Sequence, residues 1–202
     1  MDIAAETLTP EEAYRLLVGI VVPRPIAWVV TQSPDGRANV APFSCFTFVC
    51  YAPPMVAISV GRKGNELKDT ARNIMDRGEF VVNVADETVL DAMHRSSIEF
   101  PSHVSEVEEL GLDIAPSHST ACPRLAGAPV ALECKLHQTV EFGSLQTQLI
   151  VGEVVHFHIR DGLCHNGKIE TDRLRPLGRV AGPRYVKLRE FVSMTPTGDT
   201  FG

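Results

Sequence analysis

Two long runs of β character, residues 130–141 and 149–159, follow one another with only a short glycine-bearing stretch between them. A parallel crossover needs about a dozen residues or more, usually a helix, so two such runs return as an antiparallel hairpin. The rest of the chain repeats the theme on a smaller scale. Residues 26–31, 37–44, 46–51, 55–60 and 79–85 are rich in β-branched and aromatic side chains. Ser33-Pro34-Asp35-Gly36 is a strong turn signal, and Pro53-Pro54 breaks the pattern again. Helical spacing is confined to a few places. Thr9 as N-cap, Pro10 at the first position and acids behind it start a helix over 10–18. Leu67, Ala71, Ile74 and Met75 recur at helical spacing over 65–77, and Gly78 supplies the stop. A shorter helix is expected over 87–94, and another over 105–110 inside an irregular region, 95–130, that carries Pro101, Pro116, Pro123 and Pro129. Many strands, few helices and large hairpins predict a mainly β chain closed, or nearly closed, into an antiparallel barrel. No βαβ alternation, no GxGxxG and no GxxxxGK[ST] is present, which sets aside the Rossmann and P-loop routes to a nucleotide.

The 202 residues suffice for one well-buried domain. No apolar run approaches the roughly 18 residues of a membrane span. The start, MDIAAETLTPEE, lacks the order of a secretion signal, so a cytoplasmic location is expected. A net charge of −6 disfavours nonspecific nucleic-acid binding. The five cysteines show no CxxC spacing and read as free thiols.

The most informative region is 42–70. As one strand, PFSCFTFVC at 42–50 places Ser44, Phe46 and Phe48 on one face and Phe43, Cys45 and Thr47 on the other. One face is then aromatic with a single hydroxyl, which suits a planar ring whose edge takes a few hydrogen bonds; a plain buried strand has the same pattern. Next, Ser59, Val60, Gly61 and Arg62 run into a glycine-bearing loop that feeds a helix beginning near residues 65–68. A loop entering a helix N-terminus presents free N–H groups and a positive dipole end to a phosphate, with Arg62 and Lys68 adding charge and Thr70 a hydroxyl. A solvated basic turn would look the same. Together the two segments fit a ligand with an aromatic tricycle and a phosphate tail.

On these residues the chain resembles the flavin reductase-like family of FMN-binding split barrels. The resemblance rests on PRPIAWV at 23–29, DGRANVAPFSCF at 35–46, PPMVAISVG at 53–61, LKDTARNI at 67–74, GEFVVNV at 78–84, APVALECKL at 128–136, LIVGEV at 149–154 and LRPLGRVAGPRYVKL at 174–188. It implies a six-stranded Greek-key barrel, a homodimer, and FMN rather than FAD in a groove near the interface. By this resemblance Ser44, Cys45, Phe46 and Thr47 face the isoalloxazine, and Ser59, Val60, Gly61 and Arg62 wrap the ribityl and phosphate. Lys68, Asp69 and Thr70 match the family's KDT at the phosphate, with Asp69 orienting backbone or capping the helix. Tyr185 packs near the ring. The organisation expected is a helical segment over 1–19, the barrel over 20–190 and a tail over 191–202.

The resemblance also implies an oxidoreductase of the NAD(P)H:flavin reductase kind, with the flavin and not a protein nucleophile carrying the chemistry. One departure bears on the electron donor. Relatives that use NADH often carry Gly-Asp-His before the strand matching LIVGEV, whereas Glu141, Phe142, Gly143, Ser144 and Leu145 stand there in this chain. A flavin-bearing electron carrier, reduced by a partner oxidoreductase, is the alternative. His156 and His158 alternate on one strand and raise a third reading, a metal- or haem-binding barrel. No third ligand is placed by spacing, so a polar strand face is the plainer account. Other residues have plain expectations. Trp28 packs the barrel, Cys45 is buried packing, Glu106, Glu108 and Glu109 form a solvated face, and the irregular 95–124, with Phe100 and Pro101, covers the site.

Overall fold

The computed structural model describes residues 1–195. Seven strands form one antiparallel ladder: β1 (Ala27–Gln32), β2 (Ala38–Phe43), β3 (Phe46–Tyr51), β4 (Pro54–Val60), β5 (Glu79–Val84), β6 (Val130–Phe142) and β7 (Thr147–Ile159). Their order in space is β2-β1-β5-β6-β7-β4-β3. β2 and β3 therefore stand at opposite ends of the ladder, yet only Ser44 and Cys45 join them. Laid flat, seven strands would hold those ends roughly 29 Å apart at the usual spacing. A link that short reaches about 11 Å. The sheet has no choice but to curl until its ends meet. At the seam, the Ser59 amide donates to the Cys45 carbonyl at 2.8 Å, and Phe43 of β2 packs on the same apolar cluster as Ile58 of β4.

Closure gives the sheet two buried faces. Inside the barrel lie Ala27, Val29, Ile58, Phe80, Val82 and Ile150, capped by Ala71 and Ile74 of helix α2 (Asp69–Arg77). Outside it, Trp28, Val30, Val40, Val81 and Ala131 form a second core with Met93, Val107, Cys122 and Leu177 from the helices and loops that cover that wall. β1 contributes to both, which is why Ala27 to Thr31 are all buried and read as a continuous apolar run. Trp28 packs in the outer core, and its indole N–H donates to Ser96 Oγ at 2.8 Å.

Most expected elements are present, within a residue or two at their ends. Three differences have physical causes. The ladder has seven strands against the six expected, because Phe46–Tyr51 pairs beside β4 as an edge strand. The run 42–50 is not one strand; it bends at Ser44 and Cys45 and the alternation restarts. Helix α2 begins at Asp69, because Gly64 at φ 59° turns Arg62–Lys63 back onto Glu66–Leu67 as a small hairpin first. The N-terminal helix, Pro10–Ile20, opens with a complete capping box between Thr9 and Glu12, yet none of its residues is buried. Of the C-terminal segment 191–202, residues 196–202 lie outside the described residues. No helix among the described residues is long and apolar enough to cross a membrane.

The tightest packing in the wall is Gly152 of β7 against β5 and β6. A Cβ there would overlap the Phe80 ring and lie 3.1 Å from the Cys134 Cβ. Gly152→Ala is expected to destabilise the fold by about 1–3 kcal/mol, read as a lower urea midpoint with an unchanged slope. An unchanged midpoint would mean that Phe80 is not held in this position.

Candidate functional site

Two cavities flank the seam where the barrel closes. The first, about 360 Å³, is lined by Ala41, Pro42 and Phe43 of β2, by Lys63, by Lys68, Asp69 and Thr70 at the start of α2, and by residues 96–102. The second, about 460 Å³, is lined by Arg24, Pro42, Ser44, Ser97, Arg179, Gly182 and Tyr185, and by Tyr14 and Val18 of the N-terminal helix. Pro42 and Ser97 line both, so the two cavities adjoin as the two halves of a groove along the seam.

One end of the groove is a helix N-terminus. α2 starts on Lys68 with no side-chain cap, which leaves the first-turn N–H groups free for an anion. Asp69 does not cap the helix; it pairs with Arg72 inside the first turn. The Thr70 side chain is 2% exposed and its hydroxyl donates to Asn39 Oδ1 at 3.2 Å, so this residue offers the groove its backbone more than its oxygen. Lys68 is exposed. Arg62 folds back to donate to the Asn65 carbonyl at 2.5 Å, and its buried Nε–H has no partner among the described residues.

The other end is cationic and aromatic. Tyr185 stands on a short strand, Tyr185–Lys187, that pairs with Leu177–Arg179, which in turn pairs with Arg24–Pro25. The Arg179 guanidinium lies 4.7 Å from the Tyr185 ring centroid and donates to its hydroxyl, which also shares a 2.8 Å hydrogen bond with His94 Nδ1. Arg24 is buried. It donates to the carbonyls of Val18 and Val21 at 2.8 and 2.6 Å and to Ser44 Oγ at 3.3 Å, fastening the N-terminal helix to the seam.

The expected site residues thus divide. Ser44, Lys68, Asp69, Thr70 and Tyr185 line the groove. Cys45 is exposed at the bend, where packing was expected. Phe46 is half-buried against the barrel core, and Thr47 is exposed with its hydroxyl on the Phe48 carbonyl at 3.0 Å. Phe48 is 75% exposed and lines neither cavity. Ser59, Val60, Gly61 and Arg62 are not among the residues lining either cavity, and the Val60 side chain is in the barrel core. Sequence reasoning missed Arg24, His94 and Arg179. Arg24 lies within PRPIAWV and Arg179 within LRPLGRVAGPRYVKL, so both had a signal; His94 had none.

Residues 96–102, with Phe100 and Pro101, do line the groove, as expected of the irregular region. Lys63 and Glu99 reach toward each other at 3.1 Å. Glu106, by contrast, is not on a solvated face. It is buried, and it accepts from Asn39 Nδ2 at 2.6 Å and from the Val40 amide at 3.4 Å. A third ligand-type residue also joins His156 and His158: Glu133, from the neighbouring strand β6.

Comparison with known proteins identifies the class. The flavin reductase-like domain matches residues 19–171. An uncharacterized protein of Halalkalibacterium halodurans is 43% identical over 199 residues, covering 96% of this chain and 95% of its own. Among solved structures, nitrilotriacetate monooxygenase component B from Bacillus cereus is 35% identical with a TM-score of 0.93, over 96% of this chain and 98% of its own. The 2-nitrobenzoate 2-nitroreductase of Pseudomonas fluorescens is 35% identical with a TM-score of 0.90, over the whole of both chains. An FMN-binding protein from Thermus thermophilus, 20% identical with a TM-score of 0.77, shares the fold. The architecture is that of a split-barrel flavoprotein. The chain belongs to the flavin reductase-like family, and it is a flavin-dependent oxidoreductase working in electron transfer.

The thiols give a direct check of the seam. Burial pushes the Cys122 thiol up to about 12, with the Glu79 carboxylate adding to it, and burial raises Cys134 as well. Both stay protonated and shielded near pH 8, whereas Cys45 and Cys164 are exposed. Treatment of the native protein with a thiol reagent is expected to label Cys45 and Cys164, and to label Cys122 and Cys134 only after denaturation. Mass spectrometry of the peptides reads the outcome, and labelling of native Cys122 would contradict this packing.

Proposed function

We propose that the groove binds FMN, with the phosphate at the N-terminus of α2 and the ring at the Ser44–Tyr185 end. The observation that carries this reading is the groove itself: an anion-accepting helix start and a cationic, aromatic chamber, joined along Pro42 and Ser97. Its residues fit the group. Free first-turn N–H groups and Lys68 suit a phosphate. At the other end Ser44, Arg24, Arg179 and the Tyr185 hydroxyl are polar groups set against the apolar Ile26 and Met93, the mixture a flat heteroaromatic ring needs. When bound, the flavin supplies reversible electron transfer, and the protein supplies position and electrostatics. Arg24 and Arg179 place positive charge where a reduced, anionic ring gains from it. Tyr185, held from two sides by His94 and Arg179, fixes the wall of the chamber.

The electron source in this reading is NAD(P)H, with a partner oxidoreductase as one destination. The relative that is a monooxygenase component supports the second half. A carrier reduced by another protein is the second reading, favoured by the turn between β6 and β7, which carries Glu141 to Leu145 in place of Gly-Asp-His. Titration of the protein with FMN and with riboflavin, followed by anaerobic NADH or NADPH, separates these. Lys68→Ala is expected to weaken FMN by roughly tenfold or more, the scale of a charge-assisted hydrogen bond, and to leave riboflavin unchanged. Equal loss of both would remove the phosphate from α2. Bleaching by a reduced nicotinamide supports the reductase; no bleaching supports the carrier.

The protein works in this reading as a homodimer, with residues 1–19 as an arm outside the 20–190 barrel. The N-terminal helix exposes Tyr14, Leu17 and Ile20, and the edge strand β3 exposes Phe48, Val49 and Tyr51. Arg24 ties the end of that helix to Ser44, beside the start of β3, so the two apolar surfaces adjoin. Apolar patches of this kind, on a sheet edge, are covered by a partner. Sedimentation is expected to give a dimer for the natural chain and a monomer for Phe48→Glu. A natural chain that sediments as a monomer would overturn the assembly and leave the groove untouched.

A further inference from the structure

A second site stands on the barrel wall and shares no residue with the groove. β6 and β7 pair with Glu133 opposite His156 and the small Ala131 opposite His158, and the register shifts just after Glu133. Such an irregularity re-aims a side chain. His158 Nε2 here reaches across to the Glu133 carboxylate, and one donor atom from each of Glu133, His156 and His158 lies within 4.8 Å of the others. Glu133 is 0% exposed, and both imidazoles are half-buried. A loop wraps the carboxylate from above: the backbone amides of His118 and Ser119 donate to its two oxygens, each at 2.6 Å. Burial works against the charged carboxylate, but these amides and His158 outweigh it and lower its pKa.

A carboxylate that pins a loop, with one histidine as its partner, accounts for Glu133 and His158 alone. It leaves His156 without a purpose. Its ring stacks with His118, centroids 4.6 Å apart, and lies tilted against His158, also at 4.6 Å. Three imidazoles gathered beside one buried carboxylate are a set of nitrogen and oxygen donors on one patch of the wall. We propose that Glu133, His156 and His158 bind a divalent cation of the zinc class, with the fourth position open to water or to His118. Two imidazoles and one carboxylate with an open position is a known zinc donor set, and imidazole suits borderline cations above Mg²⁺ or Ca²⁺. The His118 and Ser119 amides serve as the outer shell that orients the carboxylate. The ion would clamp the 117–120 loop to the β6–β7 wall.

The test uses the flavin-loaded protein, cleared of metal with a chelator and then titrated with Zn²⁺ against a competing indicator. Metal content is read by mass spectrometry after dialysis. The natural chain is expected to take up one Zn²⁺ per chain. His156→Ala and His158→Ala are expected to lose affinity by more than the roughly 10- to 100-fold that loss of an outer-shell partner alone produces. The His156 side chain makes no hydrogen bond among the described residues, so His156→Ala is expected to fold, with a zinc-free melting temperature like that of the natural chain. Zn²⁺ should then raise the melting temperature of the natural chain and not of this variant. Failure of the natural chain to bind at micromolar Zn²⁺ would overturn the proposal. So would affinity unchanged in His156→Ala, the result expected if exposed Cys45 and Cys164 held the metal instead.

Discussion

Ser44 and Cys45 are the two residues on which this architecture turns. They link strands at opposite ends of a seven-stranded ladder, so the sheet must close where they lie. A closed antiparallel sheet buries its inside by construction, and here an outer layer of helices and loops buries much of the other face too. The seam is also the place where backbone cannot continue a regular ladder. Polar groups and a cleft therefore collect there, and both halves of the groove share Pro42, two residues from the bend. Chain closure and the proposed ligand site are then one feature of this topology seen from two sides.

What keeps the groove in register is a small polar network behind it. Asn39 of β2 accepts from the Thr31 and Thr70 hydroxyls, each at 3.2 Å, and donates to Glu106 at 2.6 Å; Asn73 of α2 donates to Thr31 at 3.1 Å. The network joins β1, β2, α2 and the short helix Glu106–Glu109. Each of its side chains is satisfied by another, which is the condition under which buried polar groups specify a structure rather than weaken it. Thr70 thus serves the site indirectly, by holding the helix start in place.

The sequence made the strands legible because each wall of a barrel needs its own apolar stripe, and β1, buried on both sides, needed two. It made the helix starts and stops legible because Thr9, Pro10 and Gly78 act through local backbone chemistry. It did not make the bend at Ser44 and Cys45 legible, since alternation through PFSCFTFVC is unbroken on paper and only the ladder order reveals that it must be interrupted. For the same reason Glu106 read as solvated: its partner Asn39 is distant in sequence. Glu133 escaped notice beside His156 and His158 because a cross-strand neighbour is set by register, not by spacing. Arg24 and Tyr185 come to line one chamber only after the chain has returned from its far end to pair with its beginning.

The two walls of the groove differ in how firmly they are held. The α2 side rests on the buried Asn39 network and on Ala71 and Ile74 in the barrel core. The facing segment is anchored at its ends, by Ser96 beneath the Trp28 indole and by the Ser102 carbonyl on Arg37 at 2.6 Å. Between those anchors, the ion pair of Lys63 with Glu99 spans side chains 58% and 62% exposed, and exposed pairs of this kind contribute little. Adjustment to a ligand therefore falls on residues 97–101. The helix start that would meet the phosphate stays where the barrel puts it, while the cover gives way. A flavoprotein that must pass electrons onward would gain from that division, because a cofactor bound as proposed would keep a fixed anchor under a cover free to yield.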